Sequence, residues 1–245
     1  MDQILNLIKN ESYVYDKNHD IYWNNKKFIL EAVKIYRYSF KYISKDLRND
    51  KELILEAVKI NGYVLKHASK ELKNDKEIVF EAVKNYGYAL EYTSKKLQND
   101  KEIVLEAVKN NGWALLYASK ELQNNKEIVL EAIRCEGTCL RYASKELKND
   151  KEFVLKCLKN DGYSLMCASK ELRNNKEIVL EAVKNNGYSL KFASKKLQND
   201  KNFIIRVLKK LYFIDYIKFK NNNIYGFMFD IKRLKETFQK ILEFY

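Results

Sequence analysis

A period of 25 residues governs most of this chain. The dodecamer KEIVLEAVKNNG occurs at 101–112 and again, letter for letter, at 176–187, a shift of three such periods. Self-similarity of this kind is typical of repeat proteins, in which every copy packs against its neighbours. The period is read most directly from six of the seven glycines, which are Gly62, Gly87, Gly112, Gly137, Gly162 and Gly187.

Each repeat begins with the pattern of an amphipathic helix. In the copy at 100–124, the segment KEIVLEAVKN places Ile, Val, Leu and Ala at helical spacing. Asn99 precedes Glu102 by three residues, so we expect Asn99 to cap this helix in a variant of the capping box. Lys109 lies late in the helix, where the helix dipole favours a cation. We expect Gly112 to end the helix as a residue in the left-handed conformation.

The second half of each repeat leaves two structures open. In WALLYASKELQN, the apolar residues Leu115, Ala118 and Leu122 recur at spacings of three and four residues. These spacings fit one continuous helix, and they also fit two short helices that are separated at Ser119. In the second case the serine caps a final turn, whereas in the first it is a small residue at a close crossing.

A single hairpin of this size cannot bury both of its faces, whereas stacked copies can. We therefore predict an all-α fold, an α-solenoid of seven 25-residue helical-hairpin repeats at 25–199. Residues 1–24 are predicted to form a degenerate N-terminal cap repeat, and 200–245 a partial eighth repeat with a helical C-terminal cap. The amphipathic segment 229–245 is read as that cap, and a partner-binding helix is the alternative.

The repeat unit resembles a known family. Its motif is Glu-Ile-Val-Leu-Glu-Ala-Val, then a glycine, then Ala-Ser-x-x-Leu, and the motif covers residues 25–205. It is similar to the short helical repeat of the domain of unknown function DUF4116. The resemblance implies a helical array without catalytic residues. It also implies a role in conflicts between hosts and mobile elements, for example as an inhibitor of an RNA-guided nuclease, an anti-CRISPR protein.

The excess positive charge is concentrated near the ends of the chain. The formal net charge is +13, yet residues 50–174 carry a net +2, against +5 in 25–49 and +5 in 200–245. A groove that follows a phosphate backbone needs an excess of cations along its whole length. The distribution instead suggests two basic ends that bracket an acidic or nucleic-acid-bearing partner. The candidate basic-end contacts are Lys26, Lys27, Arg37, Lys195, Lys196, Lys209, Lys210, Lys232 and Arg233.

One column of the second half-repeat, which we call the variable column, differs among the copies far more than its neighbours do. Positions that hold a scaffold stay alike, whereas positions that contact a partner are free to differ. Leu116 and Met166 are apolar residues in an otherwise polar column, so they are candidate anchors for a partner. Drift of an unused surface is the alternative. The column consists of Lys41, Lys66, Glu91, Leu116, Arg141, Met166 and Lys191.

Two aromatic columns flank the variable column. The first runs from Tyr38 to Tyr188, and the second from Tyr42 to Phe192, four residues further on in each repeat. Packing between repeats explains both columns, and stacking of nucleic-acid bases is the alternative. We expect the second column to be the more exposed because it accommodates His67. The candidate partner-binding residues also include its tyrosines Tyr92, Tyr117 and Tyr142.

The sequence predicts no catalytic residues, cofactor or metal site. It contains no P-loop and no G-x-G-x-x-G, and its two histidines are far apart in the chain. Paired carboxylates such as Glu102 and Glu106 recur in nearly every copy, which marks them as structural. The four cysteines are expected to be reduced thiols, and we recognise no signal peptide and no membrane-spanning segment.

We therefore expect a monomeric, cytoplasmic protein that binds another protein or a ribonucleoprotein without catalysis. The variable column and the basic ends are its expected contacts. Direct binding of RNA or DNA through the basic ends and the aromatic columns is the alternative, and the isoelectric point of about 9.3 is the reason to consider it.

Overall fold

The computed structural model describes residues 2–10, 19–207 and 210. The chain divides into two compact units, Met1–Cys135 and Glu136–Tyr245, and each is described by itself. Both consist of short helices that repeat along the chain, and no β-strand occurs among the described residues. The fold is therefore the predicted all-α repeat solenoid.

Each of the four complete repeats of the first unit consists of an α-helix, a 3₁₀ helix and a short terminal turn. The α-helices among its described residues are Asp2–Lys9, Asp20–Trp23, Lys26–Ile35, Lys51–Ile60, Lys76–Asn85, Lys101–Asn110 and Lys126–Cys135. The 3₁₀ helices are Ser39–Tyr42, Gly62–His67, Gly87–Tyr92 and Gly112–Tyr117. The terminal turns are Leu47–Asn49, Leu72–Asn74, Leu97–Asn99 and Leu122–Asn124.

The second unit has the same construction over its described residues. Its longer α-helices are Lys151–Asn160 and Lys176–Asn185, and residues 201–207 are also helical. Its 3₁₀ helices are Gly137–Tyr142, Gly162–Cys167 and Gly187–Phe192. Its terminal turns are Lys145–Asn149, Leu172–Asn174 and Lys195–Gln198. The predicted C-terminal cap lies outside the described residues, and so do the predicted contacts Lys209, Lys232 and Arg233.

The described part of the N-terminal segment packs on the first full repeat. The helix Asp2–Lys9 packs against the first repeat helix and buries Ile4 and Ile8. These two residues stand one period before Ile29 and Val33, which are also buried. The segment thus covers the apolar face that the first full repeat would otherwise expose.

The core of each unit uses the same positions in every copy. In the fourth repeat, Ile103, Val104, Ala107 and Val108 of the α-helix are completely buried. Complete burial of an Ile or Val side chain contributes about 1.5–3 kcal/mol, so these positions are a large share of the stability of a repeat. Consecutive α-helices pack against each other within each unit. The buried face is therefore shared between neighbours, and one copy alone cannot form it.

The α-helices are capped one residue later than the sequence predicts. Asn99 is not the cap of the fourth repeat helix; the cap is Asp100. Its carboxylate accepts hydrogen bonds from the N–H groups of Glu102 (3.0 Å) and Ile103 (3.1 Å). A carboxylate is favoured here because it satisfies free N–H groups and also interacts with the positive end of the helix dipole. Asn99 instead ends the preceding terminal turn and accepts a hydrogen bond from the hydroxyl of Ser119.

The second half of a repeat is two short helices, which decides between the two structures that the sequence leaves open. The first is a 3₁₀ helix, with the N–H of Ala118 bonded to the carbonyl of Leu115 at 3.3 Å. The chain then changes direction at Ser119, whose hydroxyl accepts a hydrogen bond from the N–H of Leu122 at 3.2 Å. Because a 3₁₀ helix has three residues per turn, side chains three positions apart lie above one another.

The glycines allow neighbouring repeats to approach closely. Gly112 is not a left-handed helix stop, which corrects the sequence-based prediction. Asn111, with an extended φ of −151°, ends the α-helix, and Gly112 opens the 3₁₀ helix. The equivalent Gly87 shows the reason for glycine. A Cβ built on Gly87 lies 2.5 Å from the carbonyl oxygen of Ala107 in the next repeat, closer than real Cβ atoms are found.

An asparagine at the end of the next α-helix fixes this close approach. The side-chain oxygen of Asn110 accepts a hydrogen bond from the N–H of Gly87 at 2.7 Å. Its Nδ2 donates to the carbonyl of Lys84 at 3.0 Å. Asn85 and Asn185 make the same pair of bonds at their own junctions. We call this contact the asparagine clamp, and it works because one amide supplies both a donor and an acceptor.

Lysines at the starts of the α-helices form ion pairs with the next repeat. Lys76 lies 2.9 Å from the cap Asp100 and 2.8 Å from Glu102. Lys51 makes the equivalent contacts one repeat earlier. Exposed ion pairs add little to stability, so these contacts chiefly favour one register between neighbouring helices.

We expect Gly87→Ala to lower the free energy of unfolding by about 1–3 kcal/mol, because the added methyl group must displace the Ala107 carbonyl. Gly187→Ala is the matched control, since a Cβ there meets no heavy atom of the described chain within 4 Å. Urea unfolding followed by far-ultraviolet circular dichroism measures both. Equal losses in the two variants contradict crowding by the Ala107 carbonyl.

Candidate partner-binding surface

The variable column of the first unit lies near the end of each 3₁₀ helix, and its side chains face solvent. Its four exposed members are Lys41, Lys66, Glu91 and Leu116. Leu116 is 45 % exposed, whereas Leu115 beside it is completely buried. The comparison of copies within the chain therefore located an accessible surface.

The variable column of the second unit is less uniform. Arg141 and Lys191 are exposed, whereas Met166 is partly buried. The expectation that Met166 is an exposed apolar anchor is thus only partly met. Methionine is unbranched and flexible, so it can bury part of its side chain where a leucine cannot.

A hydrogen-bonding residue seven positions further on fixes the backbone of the variable column. Lys73 donates to the carbonyl of Lys66 at 2.6 Å, and Gln123 donates to the carbonyl of Leu116 at 3.1 Å. These bonds satisfy carbonyl groups at the end of the 3₁₀ helix. Sequence reasoning missed this position, although its restriction to long hydrogen-bonding side chains was visible. Its occupants are Arg48, Lys73, Gln98, Gln123, Lys148, Arg173 and Gln198.

Rings of the two aromatic columns pack edge to face across successive repeats. The ring centroids of Tyr63 and Tyr92 are 5.9 Å apart with planes at 89°, and those of Tyr88 and Tyr117 are 6.1 Å apart at 78°. The rings contact one another, which favours packing between repeats over a platform for bases. Contrary to expectation, the second aromatic column is not more exposed than the first. The exposed aromatic residue of the two columns is Tyr188, a member of the first column, with 37 % exposure.

Lys66 lies against this aromatic packing. The three-residue turn places Lys66 over Tyr63, and its Nζ donates to the Tyr63 hydroxyl at 2.8 Å. The same ammonium group is 5.8 Å from the ring centroid of Tyr92 in the next repeat. The hydrogen bond to Tyr63 raises the pKa of Lys66, so this side chain is positively charged at neutral pH.

Glu91 gives the variable column a fixed negative charge in the third repeat. Its carboxylate lies near the hydroxyls of Tyr92 and Tyr117. The pKa of both tyrosines is raised, first by burial and then by the Glu91 charge. Along the first unit, the column therefore presents two cations, one anion and one apolar side chain.

Four cations surround a partly buried histidine in the first two repeats, and we call these five side chains the cationic cluster. The pKa of His67 is lowered from 6.5 to about 4, first by burial and then by the charges of Arg48, Lys66, Lys73 and Lys41. The pKa of Lys73 is also lowered, by burial and by Arg48. His67 is therefore neutral at pH 7, and the surrounding cations repel one another.

The basic residues predicted at the ends lie in different surroundings. Lys26 lies 2.7 Å from Asp50 and 3.4 Å from Glu52, so its ammonium group already forms ion pairs with carboxylates of the next repeat. The guanidinium carbon of Arg37 lies 4.8 Å from the ring centroid of Tyr38. The remaining described members are exposed, and their contact with a partner stays a prediction. They are Lys27, Lys195, Lys196 and Lys210.

The thiols belong to the scaffold. Cys139 and Cys157 are buried, and burial raises the pKa of Cys157 to about 12. Cys135 is exposed, and its Sγ lies 3.5 Å from the carbonyl of Val108. Among the described residues, no group of three or more His, Cys, Asp or Glu side chains is placed to hold a metal ion. No helix in the same residues has the length and apolar character to cross a membrane.

The chain matches one family model along most of its length. That family is described as domain of unknown function DUF4116. The matched segments are 2–48, 25–73, 50–98, 75–123, 125–173 and 175–227. Most of them span about two 25-residue repeats, so the unit of the family corresponds to a pair of adjacent copies. No curated protein and no solved structure matches the chain.

His67 makes the stability of the first unit depend on pH. Its pKa is about 6.5 when unfolded and about 4 when folded, so between these values the unfolded state takes up a proton that the folded state does not. The free energy of unfolding therefore falls as the pH is lowered through this range. Because His67 is partly exposed, we discount the full shift and expect a loss of about 1–2 kcal/mol.

His67→Tyr tests this expectation. Tyrosine occupies the equivalent position in the next three repeats, so the substitution suits the site. Urea unfolding of both proteins over the same pH range should show a smaller loss in the variant, by about 1–2 kcal/mol. An unchanged pH dependence contradicts the lowered pKa of His67.

Proposed function

This chain belongs to the family of domain of unknown function DUF4116, and we propose that it is a non-catalytic protein that binds another protein, alone or within a ribonucleoprotein. In the first unit the contact surface is formed by Lys41, Lys66, Glu91 and Leu116. In the second unit it is formed by Arg141, Met166 and Lys191. A cytoplasmic location, a monomeric state and inhibition of an RNA-guided nuclease are the more specific parts of the proposal.

The observation that carries this proposal is the contrast between the variable column and its surroundings. The buried apolar positions and a capping Asp or Asn recur from repeat to repeat, and the asparagine clamp forms at Gly62, Gly87 and Gly162. In the first unit the column is exposed, and it holds two lysines, a glutamate and a leucine. Leu116 keeps 45 % of its surface in water, in a column whose preceding member is Glu91. An exposed apolar residue with a polar surround is typical of an anchor at a protein–protein interface.

Two features favour a polypeptide over a bare nucleic acid as the ligand of this surface. Glu91 holds a negative charge in the middle of the column, and a phosphate backbone is repelled there. The tyrosine rings pack edge to face against one another, which reduces their use as stacking partners for bases. Binding of nucleic acid by the basic ends is therefore an outcome of the test and not the leading proposal.

We expect Leu116→Asp to remove the partner without unfolding the protein. The side chain is exposed, so stability should change by less than about 0.5 kcal/mol. The measurement is affinity capture from a lysate of the encoding organism, with quantitative mass spectrometry of the retained proteins. Ile21→Asp is the matched control, because Ile21 is 73 % exposed on a different helix.

Nuclease treatment of the lysate separates the two kinds of ligand. The proposal is supported by proteins that are still captured after nuclease treatment. The parent chain and the Ile21→Asp variant must capture them, and the Leu116→Asp variant must not. Identical capture by both variants contradicts the proposed surface. A different result is capture of proteins by the Leu116→Asp variant that is lost after nuclease treatment. That result indicates that the chain binds nucleic acid.

A further inference from the structure

The cationic cluster carries more positive charge than the scaffold requires. Arg48 and Lys73 each donate a hydrogen bond to the carbonyl seven residues earlier. In the next two repeats, Gln98 and Gln123 make the equivalent bonds with neutral amides. A neutral side chain can therefore perform the structural task. The charges of Arg48 and Lys73 are additional to it.

These additional charges lack a compensating partner in the part of the chain that the structure describes. None of the four cations forms an ion pair with a described residue. The Nε of Arg48 is buried without a hydrogen-bond partner among those residues. Glu91 acts on Lys66 from the third repeat, whereas the charges that help burial to lower the pKa of His67 and of Lys73 are cations. Repulsion among close cations is relieved when an anion joins them.

We propose that the cationic cluster binds carboxylates of an acidic polypeptide segment. This inference rests on the proposed function and specifies the chemistry of the partner. The five side chains of the site are Lys41, Arg48, Lys66, His67 and Lys73.

The continuation of the variable column favours a polypeptide over a phosphodiester chain. Beyond the cationic cluster, the column presents Glu91 and then Leu116. A phosphodiester backbone, which is negative along its whole length, is repelled by Glu91 and makes no favourable contact with Leu116. A polypeptide can present a basic side chain to Glu91 and an apolar side chain to Leu116, which gives complementarity along the part of the column that lies in the first unit.

The spacing of the repeats sets the spacing of residues in the ligand. Adjacent helices in such a stack lie about 8–10 Å apart, and an extended peptide rises about 3.3 Å per residue. Successive repeats therefore face every third residue of an extended peptide. The expected order is acidic, acidic, basic and apolar at intervals of three, opposite Lys41, Lys66, Glu91 and Leu116.

His67 reports on occupancy of the site. A carboxylate bound beside it offsets the four cations, so its pKa should rise from about 4 towards 6.5. The chain has two histidines, and comparison with His67→Tyr assigns the imidazole signals of His67. Nuclear magnetic resonance of the full chain therefore follows binding and protonation at one ring.

The test is a titration with the peptide EGSEGSKGSL, acetylated at its N-terminus and amidated at its C-terminus, across the pH range between the two pKa values; the control peptide carries the same end groups. We expect the imidazole signals of His67 to move and its pKa to rise. The peptide QGSQGSKGSL, which lacks the carboxylates, should leave both unchanged. A single-stranded oligothymidylate of the same length is the third ligand, and we expect a weaker response to it than to the acidic peptide.

A pair of double variants separates local charge from net charge. Arg48→Gln with Lys73→Gln should weaken binding of the acidic peptide by about fivefold or more, because two contacts to carboxylates are lost. The variant should fold, since glutamine occupies the equivalent positions in the next two repeats. Lys70→Gln with Lys95→Gln removes the same charge at exposed positions outside the cluster and should leave affinity unchanged.

Three results overturn the proposal: no response of His67 to the acidic peptide, equal weakening by both double variants, and a stronger response to the oligothymidylate. The proposed function is tested separately, by the capture experiment with Leu116→Asp. A cellular partner that is lost with Leu116→Asp but retained by Arg48→Gln with Lys73→Gln leaves the function in place and removes this site.

Discussion

The close approach of backbone to backbone at Gly62, Gly87 and Gly162 is the constraint on which this structure depends. The start of one 3₁₀ helix lies against the end of the next α-helix, at a distance that only a glycine allows at Gly87. Backbone groups brought so close need partners, and the amide of Asn110 supplies them to both sides at once. The apolar faces of the α-helices provide most of the stabilisation, but they do not specify a register. The hydrogen bonds and cap contacts between repeats do.

The sequence predicts the architecture well because the 25-residue period is repeated along most of the chain. A wrong assignment at one residue does not change that period. The conformations within a repeat are harder to predict. Leu115, Ala118 and Leu122 fit an α-helix and a broken helix equally, since a short apolar run does not distinguish 3.6 residues per turn from three. Asn99 and Asp100 are both good cap residues; in the structure Asp100 caps the helix, and Asn99 accepts a hydrogen bond from the Ser119 hydroxyl. Gly112 was misread because a glycine after a helix usually marks a left-handed stop.

The candidate surface could be found in part for a similar reason. The variable column emerges from comparing copies within one chain, and the exposure of Leu116 agrees with that comparison. The cationic cluster could not be found in this way, because its cations come from two columns seven residues apart and from two successive repeats. The charge totals along the chain placed an excess at 25–49 and missed its continuation into Lys66 and Lys73.

The identical asparagine clamps of two successive junctions have a consequence for the history of the array. Within the first unit, Gly62 meets Asn85 and Gly87 meets Asn110 through the same two bonds. Excision of residues 75–99 would bring Gly62 against Asn110, with matching chemistry on both sides of the new joint. Recombination between near-identical gene segments can therefore lengthen or shorten the protein by whole copies without creating a misfit. Each such event changes the order of the exposed side chains along the array. It therefore also changes the sequence of the ligand that the array can bind.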